Sequence, residues 1–412
     1  MRYGLIGEKL GHSFSKEIHE SLESYKYDLC EIPKDELPSF LQKREFCAIN
    51  VTIPYKAEVI PYLDWVDEKA KKLCSVNTVV NRNGKLYGYN TDYLGMRDMI
   101  ERSGISLTGK KVLVLGTGAT SRTSALVASD LGARETVLVS RTQKNGAITY
   151  EEAEASHTDA NVIINATPVG MYPNGYASPI SLEGFSSLEA VFDAVYNPLR
   201  TKLVLDAKSR GIYAEGGLYM LISQAAHAIG LFTGKDITNI QIEEIYRKVF
   251  NSKENIVLIG MPSSGKTTVG KIIADALGRK LFDLDDEIER RIGCTISEFF
   301  EKHSEKEFRD IESQITKEIS ARHGAVIATG GGCILRNENV DALRSCGRLY
   351  FLDRSLKYLI PTQSRPLARR PGDLENLFKI RHHLYMRASD VRVDGDKDAQ
   401  NVAKYIKEDF CK

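Results

Sequence analysis

The stretch NIVLIGMPSSGKTTVG, at residues 255–270, constrains the fold of this 412-residue chain more than any other. It joins an apolar run to a glycine-rich turn and the start of a helix, and it contains the pattern G-x-x-x-x-G-K-[ST] at every fixed position. In such a loop the backbone N–H groups point at phosphate oxygens, which requires a strand before the loop and a helix after it. The pattern therefore predicts a parallel α/β domain that binds nucleotide phosphates.

Each fixed residue of this loop has an expected task in phosphate binding. Gly260 and Gly265 let the backbone cradle the phosphates. Lys266 is expected to reach the β and γ oxygens, and the Thr267 hydroxyl to bind Mg²⁺, with Thr268 next to it in the same nucleotide site. The alternative is a glycine turn with a surface lysine. A GTPase would also need a guanine-reading N-K-x-D, and none occurs in the sequence.

A second, different glycine loop lies in KVLVLGTGATSRTSALV, residues 111–127. Gly116 and Gly118 follow an apolar run and precede a helical segment, so they would let a pyrophosphate reach the helix N-terminus. Ser121 stands at the third position of this fingerprint, where Gly or Ala is usual. An ordinary tight turn between strand and helix therefore remains open as an alternative to a dinucleotide site.

The end of the next apolar run indicates which dinucleotide would fit. NAD sites usually place an Asp or Glu there to hold the ribose hydroxyls. This run instead ends in VLVSRTQK. There, Ser140, Arg141 and Lys144 offer hydroxyl and cationic groups to a 2′-phosphate, so the sequence favours NADP over NAD.

Apolar runs of strand length alternate with helical segments in both halves of the chain, which is typical of parallel, doubly wound sheets. The polar stretch FNSKEN, residues 250–255, separates one such series from the next. We therefore expect two different α/β units in series.

The composition excludes several classes of protein. The formal net charge is +1, without the basic bias of a nucleic-acid binder. No run approaches the roughly 18 apolar residues of a membrane span, and the N-terminus lacks the apolar run of a signal peptide. Seven scattered cysteines without a C-x-x-C pair fit reduced thiols, so we expect a cytoplasmic protein that acts on small molecules.

Residues 1 to about 250 resemble shikimate dehydrogenase along their whole length. The resemblance rests on separate motifs in one order: GHSFSKEIH, NVTIPYK, SVNTVV, YNTDYLG, INATPVGM, DAVYNPLRTKL and GLYMLISQAAHAIGLFTG. It implies NADPH-dependent reduction of the C3 ketone of 3-dehydroshikimate, during which the ketone oxygen becomes an alkoxide and takes up a proton. The chain departs from the family at Lys16 and Glu20, where Pro and Asn are usual.

The matching positions imply a role for each residue of this first site. The catalytic pair is Lys56 and Asp92. The residues implied in substrate binding are Ser13, Ser15, Thr52, Asn77, Tyr196 and Gln224. Thr167 and Met220 match residues near the nicotinamide, and Ala119 stands in the cofactor loop where a glycine is common.

Residues 253–412 resemble shikimate kinase, which implies transfer of the γ-phosphoryl group of ATP to the C3 hydroxyl of shikimate. The motifs after the phosphate loop are, in order, LFDLDDEI, EFRDIE, ATGGGC, SRPLARR and IRHHLYMRASD. Asp285 matches the residue that holds the ring hydroxyls and receives the proton, so it is implied as catalytic together with Lys266. Asp283 matches a residue associated with Mg²⁺.

The same resemblance implies how the acid and the phosphates are held. Arg309 and Arg381 match the pair that grips the substrate carboxylate with planar guanidinium groups. Gly331 and Gly332 belong to a glycine run that lets the backbone approach the substrate. Arg365 matches a lid arginine that closes on the phosphates.

One departure concerns the nucleobase. The family usually places an arginine against adenine in the stretch that precedes SRPL. Residues 356–363 lack one, and Pro361 would end a helix there early. Nucleotide affinity or base selectivity is therefore expected to differ.

Together the two resemblances predict a bifunctional enzyme of the shikimate pathway that uses NADPH, ATP and Mg²⁺, as a monomer or homodimer. The predicted fold is α/β, with a substrate-binding domain and a Rossmann NADP domain followed by a P-loop kinase domain. The predicted boundaries are 1–98 completed by 217–250 for the substrate domain, 99–216 for the NADP domain, 251–254 for a linker and 255–412 for the kinase. The alternatives are a quinate/shikimate dehydrogenase with a kinase domain of altered activity, and a regulatory fusion with one inactive half.

Overall fold

The structure is a computed structural model that describes residues 2–10, 14–143, 146–361 and 370–412. The chain divides into two compact units. The first comprises Met1–Met171, Ala177–Asn197 and Asp206–Val249, and the second comprises Tyr172–Tyr176, Pro198–Leu205 and Phe250–Lys412. Both units are built from parallel-rich sheets flanked by helices, which confirms the predicted α/β class.

In the described part of the chain, the first sheet of the first unit has six strands in the order β2-β1-β3-β5-β6-β4. These strands are β1 (Tyr3–Gly7), β2 (Tyr27–Glu31), β3 (Ala48–Val51), β4 (Trp65–Val66), β5 (Thr78–Arg82) and β6 (Lys85–Tyr89). β1 pairs in parallel with β2 and β3, whereas β5 pairs antiparallel with β3 and β6. β1 and β3 are buried on both faces, so polar groups that serve a ligand must follow their carboxyl ends.

Helices cover this sheet, and two of them begin at a polar side-chain cap, Asp67 or Asn90. They are α1 (Ser15–Leu22), α2 (Leu37–Lys43), α3 (Glu68–Leu73) and α4 (Thr91–Arg102), with a 3₁₀ turn at Ile60–Tyr62. The Asn90 side chain accepts a hydrogen bond from Tyr93 N at 3.1 Å and thereby caps α4. An asparagine at this position satisfies a backbone donor that the helix itself cannot satisfy, which fixes where α4 starts.

The second sheet of the first unit has, within the described residues, the order β12-β11-β10-β7-β8-β9, and its pairs are parallel. Its strands are β7 (Lys111–Leu115), β8 (Glu135–Ser140), β9 (Ile148–Thr149), β10 (Val162–Asn165), β11 (Ala190–Asp193) and β12 (Tyr213–Glu215). The helices after them are α5 (Ala119–Asp130), α6 (Tyr150–Ser156) and α7 (Lys202–Ser209). The chain runs outward from β7 in one direction and from β10 in the other, so a crevice is expected at their carboxyl ends.

Two further helices, α8 (Leu218–Thr233) and α9 (Asn239–Lys253), follow this sheet. α8 packs on α4 so closely that a Cβ built at Gly95 would lie 2.5 Å from the Met220 carbonyl oxygen. Below this crossing, Asp98 Oδ2 lies 2.6 Å from both Ser223 Oγ and His227 Nε2. Burial raises the pKa of Asp98, but these hydrogen bonds outweigh it and hold the pKa below its ordinary value.

The sheet of the second unit has, in the described residues, the order β14-β15-β13-β16-β17, and its pairs are parallel. Its strands are β13 (Asn255–Ile259), β14 (Leu281–Asp283), β15 (Val326–Ala328), β16 (Gly347–Asp353) and β17 (Val391–Asp394). β13 is central and fully buried. Val257 and Ile259 pack into the core on one face, and Ile256 and Leu258 pack into the core on the other. The apolar run before the phosphate loop at residues 260–267 is therefore the central strand of this unit.

The helices of the second unit flank this sheet. They are α10 (Lys266–Leu277), α11 (Leu284–Ile292), α12 (Ile296–Lys302), α13 (Glu305–Ser320), α14 (Asn337–Cys346), α15 (Pro371–Ala388) and α16 (Ala399–Phe410), with 3₁₀ turns at Cys333–Leu335 and Leu356–Tyr358. Thr295 and Ser304 cap α12 and α13 with reciprocal capping boxes. Across the residues that the structure describes, none of the helices has the length and apolar character needed to cross a membrane.

The stretch predicted as a linker contains regular structure. Residues 251–253 are the last turn of α9, and β13 begins at Asn255, so Glu254 alone lies between the two elements. Glu254 is fully buried, and within the second unit its carboxylate pairs with Arg348, at 3.2 Å, and with Arg200. The position of the domain boundaries stays a prediction.

The close approach of α4 and α8 gives a stability prediction. Gly95→Ala would place a methyl group against the Met220 carbonyl oxygen, 2.5 Å away, and both groups belong to rigid helices. Overpacking of this kind costs about 1–3 kcal/mol. In scanning calorimetry we expect the transition of the first unit to shift down by several degrees. The control is Gly118→Ala, where a built Cβ has no heavy atom within 4 Å. An unchanged transition temperature in Gly95→Ala would contradict the close approach of α4 and α8.

Two candidate active sites

The first unit contains a cavity of about 490 Å³ between β3, α4 and α8. Its lining includes most of the residues that the sequence indicated for the first site: Ser15, Thr52, Lys56, Asn77, Asp92, Tyr196, Met220 and Gln224. Ser13 lies outside the described residues. Segments far apart in sequence thus meet at one cavity, as a substrate site requires.

Lys56 and Asp92 form an ion pair in this cavity. Lys56 Nζ lies 2.6 Å from Asp92 Oδ2, and each side chain is 18% exposed. Asp92 stands in the first turn of α4, where the helix dipole favours a carboxylate. The pair therefore presents a cation and an anion, in direct contact, to whatever enters the cavity.

Asn77 orients Asp92 from the other side. Its Nδ2 donates to Asp92 Oδ1 at 2.8 Å and lies 3.0 Å from Thr91 Oγ1, and its Oδ1 accepts from Thr91 N at 2.7 Å. Asp92 therefore accepts a hydrogen bond from Lys56 on one oxygen and from Asn77 on the other. With both oxygens held, the carboxylate cannot rotate freely, and Lys56 keeps a fixed direction.

Other polar groups of the cavity are also anchored. Gln224 Nε2 donates to Leu221 O at 2.8 Å, and Thr91 Oγ1 donates to Gln224 Oε1 at 3.4 Å. Burial raises the pKa of Tyr196, so its phenol remains a hydrogen-bond donor. Besides Lys9 and the Lys56–Asp92 pair, the cavity thus presents neutral donors and acceptors, which suit a polyhydroxylated ring.

The glycine loop after β7 has the geometry of a phosphate cradle. Gly116 has φ +109°, and a Cβ built on it would lie 2.6 Å from Ser121 Oγ, so glycine is required there. Gly118 caps α5 without a side chain, and α5 begins at Ala119. The N–H groups at the start of α5 are therefore approachable by a pyrophosphate.

Thr167 lies against this loop because the ends of neighbouring strands are tied together. Asn165 Oδ1 accepts from Thr167 N at 3.0 Å and from Thr167 Oγ1 at 2.7 Å. Asn165 Nδ2 donates to Asp193 Oδ1 at 2.9 Å. This tie brings Thr167 close enough that a Cβ on Gly116 would lie 3.1 Å from its methyl group.

Ser140 and Arg141 stand at the carboxyl end of β8, next to the glycine loop. Gly116 N donates to Val139 O at 2.7 Å, which joins the two strand ends. Ser140 donates to the Thr142 carbonyl oxygen, and Arg141 is exposed. Lys144, the third residue indicated for the 2′-phosphate, lies outside the described residues.

Sequence reasoning missed residues that line the first cavity, among them Lys9 and Asn50. Asn50 is buried and accepts from Tyr27 Oη at 2.7 Å, while its Nδ2 lies 3.0 Å from Thr78 Oγ1. An amide within the apolar run FCAINVTI was a usable signal, because a buried polar group needs partners. Lys9 offered no comparable signal, since a lysine in a polar loop is usually solvated.

The second unit contains a cavity of about 590 Å³ at the carboxyl ends of β13, β14 and β15. Its lining includes the predicted residues Gly265, Lys266, Thr267, Thr268, Asp283, Asp285, Arg309, Gly331, Gly332 and Arg381. Arg365 lies outside the described residues. This second set also comes from several separate segments of the chain.

The phosphate loop connects β13 to α10. Gly260 has φ +152° and Gly265 has φ +91°, and a Cβ built on Gly260 would lie 2.9 Å from Leu352 O. Lys266 is buried, and its Nζ donates to the carbonyl oxygens of Gly260 and Met261 at 2.9 Å. Both glycines are required by the backbone, and the lysine ammonium is held at the mouth of the loop.

Two oxygen-bearing side chains converge next to the loop. Thr267 Oγ1 donates to Asp283 Oδ2 at 2.5 Å. Asp283 also caps α11 by accepting from Asp285 N at 3.0 Å. The cap places Asp285 in the cavity, where a Cβ built on Gly330 would lie 2.6 Å from Asp285 Oδ1. The glycine run therefore leaves room for this carboxylate.

Arg309 and Arg381 reach the cavity from α13 and α15, and both are buried. Arg309 NH1 donates to Glu312 Oε2 at 2.8 Å, and Arg381 NH1 donates to Gly331 O at 3.0 Å. Burial lowers the pKa of Arg381, and burial raises the pKa of Glu312. Arg309 NH2 also donates to Glu305 Oε1 at 3.1 Å, so Arg309 has two carboxylate partners, whereas Arg381 donates to a backbone carbonyl oxygen.

These geometries define a class of protein: one chain with a nucleotide-dependent oxidoreductase unit and a P-loop kinase unit. The family model described as shikimate dehydrogenase substrate binding domain matches residues 5–79, and the model described as shikimate kinase matches residues 262–410. Among curated relatives, the shikimate dehydrogenase (NADP(+)) of Clostridium perfringens strain SM101 is 36% identical over 60% of this chain and 97% of its own length. That of Halothermothrix orenii is 38% identical over 56% of this chain and 90% of its own.

Solved structures agree with these relatives. The shikimate 5-dehydrogenase of Thermus thermophilus, in complex with NADP(H) and shikimate, is 33% identical with a TM-score of 0.55, over 60% of this chain and 99% of that one. A chorismate mutase/shikimate 5-dehydrogenase fusion protein from Clostridium acetobutylicum is 36% identical with a TM-score of 0.57, over 60% and 96%. The chain belongs to the shikimate dehydrogenase family and carries a shikimate kinase domain after it. Both predicted resemblances are confirmed, and the chain is an oxidoreductase and a kinase of the shikimate pathway.

The contact between Gly332 and Arg309 gives a prediction for the second site. A Cβ on Gly332 would overlap the Arg309 guanidinium, so Gly332→Ala must push that group aside. If Arg309 grips the carboxylate of shikimate, we expect the KM for shikimate to rise about tenfold, as loss of a charge-assisted bond of about 1.5–3 kcal/mol implies. Gly372→Ala is the matched control, because a Cβ there has no heavy atom within 4 Å. If steady-state kinetics gave the same KM for shikimate in Gly332→Ala and in the unaltered protein, Arg309 would not be the residue that grips the carboxylate.

Proposed function

We propose that the first unit reduces 3-dehydroshikimate to shikimate with NADPH, and that the second transfers the γ-phosphoryl group of ATP to the C3 hydroxyl of shikimate. The observation that supports this best is the content of the two cavities. One contains the Lys56–Asp92 pair at 2.6 Å, which suits proton transfer to a reduced ketone. The other contains the phosphate loop together with the two buried arginines, which suit an anionic acceptor.

The first unit fits NADPH on its own geometry. The turn at Gly116 leaves no room for a Cβ, and the N-terminus of α5 has no side-chain cap. Together they would form a cradle for the pyrophosphate. Ser140 and Arg141 would take the 2′-phosphate at the end of β8, and Thr167 and Met220 would face the nicotinamide. When bound, NADPH supplies the hydride that reduces the ketone.

The chain's own residues would do the acid–base work of this reduction. Lys56 Nζ would donate a hydrogen bond to the ketone oxygen and stabilise the negative charge that develops there. Asp92, held by Asn77, would keep the ammonium aimed at that oxygen, and the pair would deliver the proton. Thr52, Asn77 and Gln224 would position the ring hydroxyls, and Ser15 and Tyr196 would lie at the carboxylate.

The second unit fits ATP as the phosphoryl donor and Mg²⁺ as the cation that would accompany it. Thr267 Oγ1 and Asp283 Oδ2 would hold Mg²⁺, a cation that takes few protein oxygens and completes its shell with water and phosphate. Lys266 would neutralise the transferred group. Asp285 would orient the acceptor hydroxyl and receive its proton, while Arg309 and Arg381 would fix the acid.

The first experiment tests whether the two sites act independently. Purified full-length protein with 3-dehydroshikimate, NADPH and Mg-ATP should form shikimate 3-phosphate. Lys56→Ala should lower NADPH oxidation by about 10²–10⁴-fold, the usual worth of a positioned acid, and leave phosphorylation of added shikimate unchanged. Lys266→Ala should do the reverse. Loss of both activities in one folded single variant would contradict two independent sites, and absence of either activity in the unaltered protein would support a fusion with one inactive half.

The second experiment tests the cofactor. Arg141→Asp would place a carboxylate against the 2′-phosphate, so the preference for NADPH over NADH in kcat/KM should fall at least about tenfold, equivalent to about 1.4 kcal/mol. Arg134→Asp is the matched control, because Arg134 is an exposed arginine just before the opposite end of β8. Similar kcat/KM for the two cofactors in the unaltered protein would refute the assignment to NADP.

A further inference from the structure

The crossing of α4 and α8 joins two residues that would handle substrate in the first unit. Asp92 lies in the first turn of α4, and Gln224 is a buried residue of α8. Both line the cavity of about 490 Å³. Apolar packing between helices is not directional. Side chains on two helices therefore keep a fixed separation only where a directional contact, such as a hydrogen bond, sets the register of one helix against the other.

The contacts nearest to the cavity do not set this register firmly. Gly95 lets the Met220 carbonyl oxygen approach α4, since a Cβ on Gly95 would lie only 2.5 Å from that oxygen. This contact limits how closely the helices approach, but it directs neither helix along its axis. The hydrogen bond from Thr91 Oγ1 to Gln224 Oε1 is long, at 3.4 Å, and therefore weak. Another contact is needed to fix the register.

Asp98 provides that contact further along α4. Its Oδ2 accepts a hydrogen bond from Ser223 Oγ at 2.6 Å and lies 2.6 Å from His227 Nε2. Ser223 and His227 occupy positions i and i+4 of α8, so they lie on the same face of the helix, one turn apart. A single carboxylate oxygen of α4 therefore holds two successive turns of α8.

The contact is strong because the acceptor is charged and partly shielded from water. Ser223 is fully buried, and the Asp98 side chain is 15% exposed. Burial raises the pKa of Asp98, but the hydrogen bonds from His227 and Ser223 outweigh it and hold the pKa below its ordinary value. Asp98 is therefore ionised at neutral pH, and hydrogen bonds to an ionised acceptor are stronger than those between neutral groups. Its Oδ1 faces Arg97, whose NH2 lies 3.4 Å away.

We propose that Asp98 is a positioning residue of the dehydrogenase, which sets the place of Gln224 in the substrate cavity. Ser223 directly precedes Gln224, so a carboxylate bound to Ser223 fixes the backbone from which the Gln224 side chain extends. The Gln224 amide is thereby kept next to Thr91, the neighbour of Asp92. Within the described part of the chain, Asp98 is not among the residues that line the cavity, so it would act only through α8. This inference rests on the proposed dehydrogenase function and adds a residue to it.

A double-mutant cycle tests whether Asp98 acts through Gln224. Asp98→Ala and Gln224→Ala should each lower kcat/KM for 3-dehydroshikimate about five- to tenfold, which is the usual effect of one lost hydrogen bond. In protein that already carries Gln224→Ala, Asp98→Ala should change kcat/KM less than about twofold, because the side chain that Asp98 positions is gone. Steady-state oxidation of NADPH by the full-length protein gives all four values.

Variants of the partner residue separate positioning from general damage to the unit. His227→Ala removes one donor to Asp98 and should lower kcat/KM about two- to fivefold. His227→Gln keeps an N–H donor of similar reach and should restore the value of the unaltered protein. Glu101→Gln is the matched control, because it alters another carboxylate of α4, which is 55% exposed, and it should leave kcat/KM unchanged.

Scanning calorimetry of each variant verifies that the first unit is folded at the assay temperature. The His227 side chain is 31% exposed, so His227→Ala replaces Asp98→Ala in the cycle if the latter does not give a folded first unit.

Losses that multiply in the double variant, or equal kcat/KM in His227→Ala and His227→Gln, would overturn the role of Asp98 and leave the dehydrogenase assignment intact. Failure of the unaltered protein to oxidise NADPH with 3-dehydroshikimate would overturn the proposed function of the first unit, and this inference with it.

Discussion

A buried parallel strand can accept polar side chains only after it ends, and this constraint determines where both sites lie. β3, β7 and β13 are apolar because their faces are covered. Their carboxyl ends meet turns, and a helix N-terminus with unsatisfied N–H groups follows two of them. Gly116 and Gly260 stand directly at such ends, and Thr52 follows β3 in the same way. The candidate functional residues are therefore concentrated at the carboxyl ends of the buried strands.

Glycines and buried polar groups then determine where the polar side chains of each cavity lie. Gly95 lets α8 approach α4, which brings Gln224 to the Asp92 side of the cavity. Gly332 leaves the space that the Arg309 guanidinium occupies. Asn77 holds Asp92 in the first cavity, and Glu312 holds Arg309 in the second. Because the contacts of Gly95, Gly332 and Asn77 each join two different segments, a substitution in one segment can displace a side chain of the other.

The sequence predicted the α/β class and both families, because glycine loops and family motifs are local patterns that can be recognised without knowledge of the fold. Geometry between distant segments was out of its reach. Nothing local links Asn77 to Asp92 or Gly332 to Arg309, and the polar stretch FNSKEN does not reveal that α9 continues to Lys253. The sequence also does not reveal that Arg354 lies next to Gly265, since only the fold brings the end of β16 beside the phosphate loop.

The two sites use different cations for a physical reason. A reduced ketone must take up a proton, and lysine can lose one, so Lys56 in contact with Asp92 can serve as both charge stabiliser and acid. A carboxylate must only be held, and arginine keeps its proton even when burial lowers the pKa, as at Arg381. Glu305 and Glu312 pair with Arg309, whereas Arg381 NH1 donates to the carbonyl oxygen of Gly331. Exchange of lysine and arginine between the two sites would leave the formal charges the same. The first site would nevertheless lose its proton donor, and the second would lose the planar guanidinium groups that hold a carboxylate.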